Sequence, residues 1–195
     1  MRRGVIIAGL LGGLSAAGAA NAAATSSVPM SVSANAPQVC AVQQPVLSQG
    51  ALINFRALDG TNLRIDQLTD PSTLATAAAS VSVSFDAVCN YPHRIVLESQ
   101  NNGLWRTTTT APAPTGFADA VPYTAQLTWG TINNTFRADA TARRLNTDSI
   151  PVGNPTAGKI VINLSIQAGD SNLRANAPLI AGIYGDTLRV TVEPQ

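Results

Sequence analysis

The sequence has 195 residues, with twelve lysines and arginines against eleven aspartates and glutamates, and a formal net charge of +1. Charged residues make up 12% of the chain, so no basic patch for nucleic acid or for a membrane surface is expected. Apolar residues make up 45%, which is too many for a disordered chain. One histidine and two cysteines leave little material for a metal site, and no metal or small-molecule cofactor is expected.

The first 22 residues have the pattern of a secretory signal peptide. Arg2 and Arg3 give a positive start, residues 5–20 are apolar, and residues 20–22 (Ala-Asn-Ala) form a small-x-small cleavage site. The apolar run is too short and too rich in glycine and alanine to span a membrane. We therefore predict export, with residues 1–22 removed. The remaining chain of about 173 residues has the length of one domain.

The first segment after the predicted cleavage site alternates apolar and polar residues. A period of two is typical of a strand with one buried face, so we predict a strand over residues 28–36. Pro29 interrupts it, because proline cannot donate a backbone hydrogen bond, and Pro37 ends it. The predicted face consists of Val28, Met30, Val32 and Ala34.

Cys40 and Cys89 are the two cysteines of the chain. Disulfides persist in the compartments that exported proteins reach, so we predict a structural disulfide between them. Closing a loop of this length stabilises the fold by roughly 4 kcal/mol in the loop-entropy model. A catalytic thiol is a weaker alternative, since His93 follows a Tyr-Pro turn with no third group to orient it.

Further strands are predicted where apolar and polar residues alternate or where apolar residues concentrate. These segments are residues 39–46, 52–55, 80–89, 94–98, 104–109, 123–129, 131–138, 159–166 and 184–192. In the segment 80–89, Val81, Val83, Phe85 and Ala87 are predicted to share the buried face. Polar or Pro/Gly-rich connections are predicted at residues 59–76, with room for one helical turn, at 107–116 and at 146–158. Eight to ten strands without an amphipathic helix predict an all-β, antiparallel sandwich.

The closing segment, residues 181–192 (AGIYGDTLRVTV), resembles the motif G-x-Y-x-D-T-[LV]-x-V-T-V of the spore coat protein U domain family. That family includes the subunits of archaic chaperone–usher pili. Three other features are similar to this family. They are a first cysteine after an alternating arm, a V-x-V-x-F-x-x-x-C strand over residues 81–89, and the Val-Pro-Tyr of residues 121–123.

The resemblance implies a fold and a mode of assembly. Subunits of this kind have an incomplete immunoglobulin-like antiparallel β-sandwich that lacks its final strand and exposes an apolar groove. A periplasmic chaperone fills the groove, and an outer-membrane usher exchanges it for the amino-terminal arm of the next subunit. The implied organisation is a donor-strand arm over residues 23–37 and a pilin-like domain over residues 38–195.

The resemblance also implies site residues and partners. The donor strand would present Val28, Met30, Val32 and Ala34, and one wall of the acceptor groove would present Leu188, Val190 and Val192. The implied function is that of a structural subunit of a secreted surface fibre that supports adhesion or biofilm formation. Its implied partners are identical or related subunits, the chaperone and the usher, and its implied location is the cell surface or an extracellular fibre.

Other functions remain open on the sequence. One is a secreted spore-coat-type structural protein that needs no usher, and another is a single-domain adhesive module in which Trp105 and Trp129 stack on sugars. Core packing is the commoner role for aromatic residues on strands. An enzyme is not expected, because G-x-S-x-G, Walker-type and H-E-x-x-H motifs are missing from the sequence. Asp66 and Asp70 could be paired carboxylates, but they fit solvated loop residues better.

Overall fold

The computed structural model describes residues 29–47, 52–57, 62–108 and 111–195. The predicted signal peptide and Val28 of the predicted donor face lie outside these residues. Residues 37–195 form one compact unit, and residues 29–36 belong to a separate one. Within the described residues, no helix has the length and apolar character needed to cross a membrane.

The prediction of an all-β, antiparallel chain is confirmed. Across the part of the chain that the structure describes, fourteen strands are present and no helix, against the eight to ten strands expected. The strands are β1 (Cys40–Val42), β2 (Val46–Leu47), β3 (Phe55–Ala57), β4 (Leu63–Ile65), β5 (Ala79–Cys89), β6 (His93–Ser99), β7 (Leu104–Arg106), β8 (Ala120–Val121), β9 (Tyr123–Trp129), β10 (Ile132–Ala138), β11 (Asn146–Val152), β12 (Thr156–Ile166), β13 (Tyr184–Gly185) and β14 (Leu188–Pro194).

The largest sheet has the order β1-β5-β12-β9-β10, and β2 pairs with β5 beyond β1. Its centre is the pairing of β5 with β12, eleven residues long, in which Cys89 lies opposite Thr156 and Ala79 opposite Ile166. β5 alternates apolar and small polar residues over most of its length, and β12 has Ile160, Ile162 and Ile166 buried on one face, which suits a sheet with one face on the core. The predicted segment 39–46 is divided between β1 and β2, because an extra residue near Pro45 interrupts the pairing with β5.

A second sheet has the order β11-β6-β14. The prediction that residues 146–158 form a connection is wrong, because β11 occupies 146–152 and β12 begins at 156. Pro151 is compatible with this edge strand. It lies opposite Arg94, a residue whose backbone groups point to β14 rather than to β11, so no ladder hydrogen bond is lost.

Two small sheets complete the described structure. One has the order β13-β7-β8, and the other is the hairpin of β3 and β4. The prediction of a strandless connection over residues 59–76 is therefore wrong at β4, although residues 71–73 do form a turn. The predicted strand 184–192 is divided between β13 and β14, because Asp186 and Thr187 leave the regular pairing.

The core lies between residues contributed by both main sheets. The largest fully buried side chains include Trp129, Leu127 and Ile160 from the first sheet and Ile95 and Leu97 from the second. On β5 the predicted alternation fails at one point, since Ser84 is buried and Val83 is half-buried. Trp129 is 0% exposed, so it packs in the core and has no surface for stacking on a sugar.

Candidate functional site: two unpaired strand edges

The last strand, β14, pairs along one side only within the described residues. The N–H of Gln100 donates to the carbonyl oxygen of Thr187 at 3.0 Å, and the register places Val190 opposite Leu97 of β6. In an antiparallel pair, alternate residues turn their backbone groups to the partner strand. Thr187 therefore turns its N–H and C=O groups to β6, and so does every second residue after it, Arg189, Thr191 and Glu193. The remaining residues, Leu188, Val190 and Val192, turn their N–H and C=O groups away from β6.

The same three residues carry apolar side chains toward the core. Leu188, Val190 and Val192 are half-buried and pack against the core cluster, whereas Arg189 and Thr191 between them are exposed. Each of the three thus offers an apolar side chain to the interior and unpaired backbone groups to the edge. Unpaired strand edges of this kind are templates for pairing with another chain.

A second edge lies along β5, where β1, β2 and the bridge of Ile53 to Ser80 form the outermost described row. Val42 lies opposite Ala87 and Leu47 opposite Val83, so both have their side chains on the core face. Val42 is nevertheless 50% exposed, and Leu47 and Val83 are half-buried. Sequence reasoning missed this edge, because glutamines and Pro45 obscure the alternation of residues 39–47.

The two edges bound the same side of the core, since β1 lies next to β14. The opposite side is bridged between β10 and β11. There, Asn134 Nδ2 donates to Asp148 Oδ2 at 2.7 Å, and Asn146 Nδ2 donates to the carbonyl oxygen of Arg137 at 2.9 Å. No comparable hydrogen bond joins β14 to residues 40–47 in the described part of the chain. One side of the structure is therefore closed by polar bridges, and the other has apolar side chains between two unpaired edges.

The predicted disulfide is confirmed. Cys40 and Cys89 are directly opposed in the β1–β5 pair with their Cα atoms 4.2 Å apart. A nitrogen of His93 and both sulfur atoms lie within 4.8 Å of one another. Because both sulfurs are consumed in the disulfide, this group of atoms has no thiolate with which to bind a metal. His93 is instead a packed core residue, 4.9 Å from the ring of Trp129.

The start of the compact unit is fixed beside this disulfide. Asn90 Nδ2 donates to the carbonyl oxygen of Pro37 at 2.8 Å, and the N–H of Val39 donates to Asn90 Oδ1 at 2.8 Å. The backbone N–H of Asn90 donates in turn to the carbonyl oxygen of Val39 at 3.2 Å. Three hydrogen bonds thus hold residues 37–39 against the turn between β5 and β6.

Asp186, the acidic residue of the closing motif, organises the other end of β14. Its carboxylate accepts hydrogen bonds from Ser99 Oγ at 2.5 Å, from the Tyr123 hydroxyl at 2.8 Å and from the backbone N–H of Asn101 at 2.9 Å. It also accepts from the N–H of Thr187 at 2.8 Å, directly before β14. Burial raises the pKa of Tyr123 well above its ordinary value, so this hydroxyl keeps its proton.

Tyr184, the aromatic residue of the motif, also has a structural role. Its hydroxyl donates to the carbonyl oxygen of Ile180 at 2.7 Å, and burial raises its pKa to about 12. Tyr184 and Asp186 therefore hold β13 and the start of β14 in place, while Leu188, Val190 and Val192 face the core.

The predicted donor face is not part of a strand in the single chain. Residues 29–39 form no regular strand, and Met30 and Val32 are 88% and 91% exposed. Ala34 is exposed as well, and Val28 lies outside the described residues. The prediction of a strand over 28–36 is thus not met in the isolated chain, since a strand without a neighbour has no ladder of hydrogen bonds to hold it. No family model, curated protein or solved structure matches the chain.

Proposed function

We propose that this protein is a structural subunit of a secreted surface fibre, assembled by donor-strand exchange. The resemblance of residues 181–192 to the spore coat protein U domain family suggests this function. The observation that supports it most is the free edge of β14, where Leu188, Val190 and Val192 combine unpaired backbone groups with inward apolar side chains. In the proposal, the described fold is an immunoglobulin-like sandwich that lacks one strand between β14 and β1.

The arm has apolar side chains that could cover the open side and backbone groups that could pair with β14. Met30 and Val32 are almost fully exposed, and burying a side chain of either type contributes about 1.5–3 kcal/mol. A ladder with β14 would add about 0.5–1.5 kcal/mol net for each hydrogen bond. Val28 and Ala34 would extend the apolar face at the two ends of the inserted segment. β-strand addition of this kind obtains affinity from the backbone and specificity from alternate side chains.

Pro29 is compatible with this pairing in one direction. If the arm runs antiparallel to β14 with Met30 and Val32 facing inward, these residues also turn their backbone groups to β14. The backbone groups of Pro29, one residue before Met30, then face away from β14, so its lack of an N–H costs no hydrogen bond with β14. In a parallel arrangement the phase reverses, and the missing N–H would face β14. The sequence of the arm therefore favours antiparallel insertion.

The proposed partners come from the family resemblance, and the same surface is compatible with them. An unpaired edge with exposed apolar side chains tends to aggregate, so a chaperone in the periplasm would cover it before assembly and an usher would direct the exchange. Export with the disulfide already formed and display at the cell surface belong to the proposal. So do a role in adhesion or biofilm formation and the lack of an enzymatic activity.

The test is thermal unfolding of the isolated mature protein with a peptide of residues 28–36. Bound at 100 times its dissociation constant, the peptide would stabilise the fold by about 2.7 kcal/mol. For a protein of this size that is a rise in Tm of about 5–10 °C. A peptide with Met30→Asp and Val32→Asp should give no shift.

A matched control peptide carries Ser31→Asp and Ser33→Asp, two changes on the outward face, and should retain the shift. Equal shifts from all three peptides, or no shift from the native one, would contradict donor-strand pairing.

A further inference from the structure

The strand register defines two ends of the compact unit. At the upper end, residues 90–92 connect β5 to β6 and residues 153–155 connect β11 to β12. The last described pair of β14, Pro194 with His93, lies at this end. At the lower end lie the turn of residues 100–103, the connection 139–145 between β10 and β11, and Leu188, which is opposite Ser99.

A chain cannot insert its own arm antiparallel to its own β14. β14 has seven residues and extends for about 20 Å. An antiparallel arm would reach the lower end at about residue 36, whereas Val39 is bonded to Asn90 at the upper end. The three residues from Ala36 to Val39 span about 10 Å when fully extended. The arm must therefore come from another copy.

The same short connection places two copies end to end. The donor arm leaves the acceptor at the lower end, near Leu188, and the donor's own Pro37 is bonded to Asn90 at the donor's upper end. Pro37 directly follows residue 36 and Val39 is three steps from it, so the two points are within about 10 Å of each other. The upper end of the donor copy therefore lies beside the lower end of the acceptor copy, where surface residues of the two ends can come into contact.

Resting on the proposed function, we propose that the Tyr91 turn of one copy docks on the Arg143–Arg144 loop of the next. The contact is a second, head-to-tail interface beside the inserted arm. It is heterologous, because the upper end of one copy meets the lower end of its neighbour, and such contacts propagate into filaments.

The side chains at the two ends are chemically complementary. Tyr91 is half-buried and followed by the exposed Pro92, which together present an aromatic and apolar turn. Arg143 and Arg144 are exposed, and neither forms a direct salt bridge among the described residues, although the charge of Arg144 helps to lower the pKa of Asp139. Arg143 Nε donates to Asn101 Oδ1 at 3.2 Å, so this loop is tied to the lower turn that adjoins Thr187. An arginine over a tyrosine ring contributes about 0.5–1 kcal/mol at an exposed site.

The test uses pairs of engineered cysteines in the assembled mature protein. The variant Tyr91→Cys with Arg144→Cys should form disulfides between neighbouring copies on oxidation, and a denaturing gel without reductant should show a ladder of multimers. Bond formation needs Cα atoms within about 7 Å, so the ladder reports direct contact. The matched control combines Tyr91→Cys with Gln126→Cys, an exposed residue in the middle of β9, and should give no ladder.

Sedimentation of each sample separates the two proposals. Polymers that sediment without a Tyr91–Arg144 ladder would refute the end-to-end contact and leave donor-strand exchange standing. Absence of polymers, together with absence of a Tm shift from the arm peptide, would refute both. In a second measurement, Tyr91→Ala should raise the protein concentration needed for polymers about two- to fivefold, and Tyr91→Phe should not. The Tm shift from the arm peptide should be the same in both variants.

Discussion

Replacing Asp186 tests whether the closing motif holds β14 in position. The variant Asp186→Ala removes the acceptor shared by Ser99 Oγ, the Tyr123 hydroxyl and the backbone N–H groups of Asn101 and Thr187. Ser99 is 0% exposed and Tyr123 is 7% exposed, so neither hydroxyl gains water in exchange.

The cost follows from the groups left without a partner. A buried donor that loses its acceptor costs about 1–3 kcal/mol, so two buried hydroxyls cost about 2–6 kcal/mol. For a chain of this size the corresponding fall in Tm is about 5–20 °C. A matched control is Asp148→Ala, because Asp148 is half-buried and accepts one side-chain hydrogen bond, from Asn134 Nδ2. The control should lose about 1 kcal/mol.

The assay is urea unfolding of the mature protein, followed by the same measurement with the arm peptide. Because Asp186 also accepts from the N–H directly before β14, the variant should bind the peptide more weakly even where it remains folded. A loss of stability no greater than that of Asp148→Ala would refute the reasoning. Unchanged peptide affinity in a destabilised variant would show that the motif stabilises the core without positioning the edge.

Three further results are expected. Replacing both Cys40 and Cys89 by alanine should cost about 4 kcal/mol in urea unfolding, and equal stability of the variant and the parent would contradict the loop-entropy reasoning. Gly103→Ala should lower the free energy of unfolding by more than about 1 kcal/mol, because φ is +136° and the new Cβ would lie 2.8 Å from the Cβ of Ala140. In the control Gly153→Ala, the new Cβ would lie in open space, so the stability should hardly change. Stability should fall as the pH rises above 10, because the unfolded chain loses the Tyr123 proton there and the folded chain keeps it. Burial raises the pKa of Tyr184 to about 12, so it adds to the same fall. Tyr123→Phe should therefore reduce the slope between pH 10 and 12 by about half, and an equally steep fall in that variant would contradict the role of Tyr123.

Alternation predicted the strands whose two faces differ in polarity. The segment 123–129 matches β9 residue for residue, and the predicted apolar face of 159–166 lies on the core side of β12. β11 was missed because its sequence, NTDSIPV, is polar and contains a proline. An edge strand tolerates both, since one side of its backbone needs no partner and most of its residues face solvent.

The candidate site was predictable on one edge and not on the other. Leu188, Val190 and Val192 alternate with polar residues, so their common face is visible in the sequence. Val42 and Leu47 lie on opposite sides of an interruption at Pro45 that shifts the phase by one residue, so no fixed period connects them. Half-exposure of an inward residue such as Val83 depends on which distant segments cover it in the folded chain, and local sequence carries no record of that.

In the proposed fibre, the position of the disulfide would have a mechanical consequence under tension. A pull on the arm enters the compact unit at residues 37–39 and meets Cys40 at once, which is covalently joined to Cys89. The force therefore bypasses the three-residue pairing of β1, which would peel open one hydrogen bond at a time, and passes to β5. β5 can move along the pull only by shearing its eleven-residue ladder with β12, so many hydrogen bonds would have to break together. The covalent bond thus places the load on the longest strand pair in the described structure.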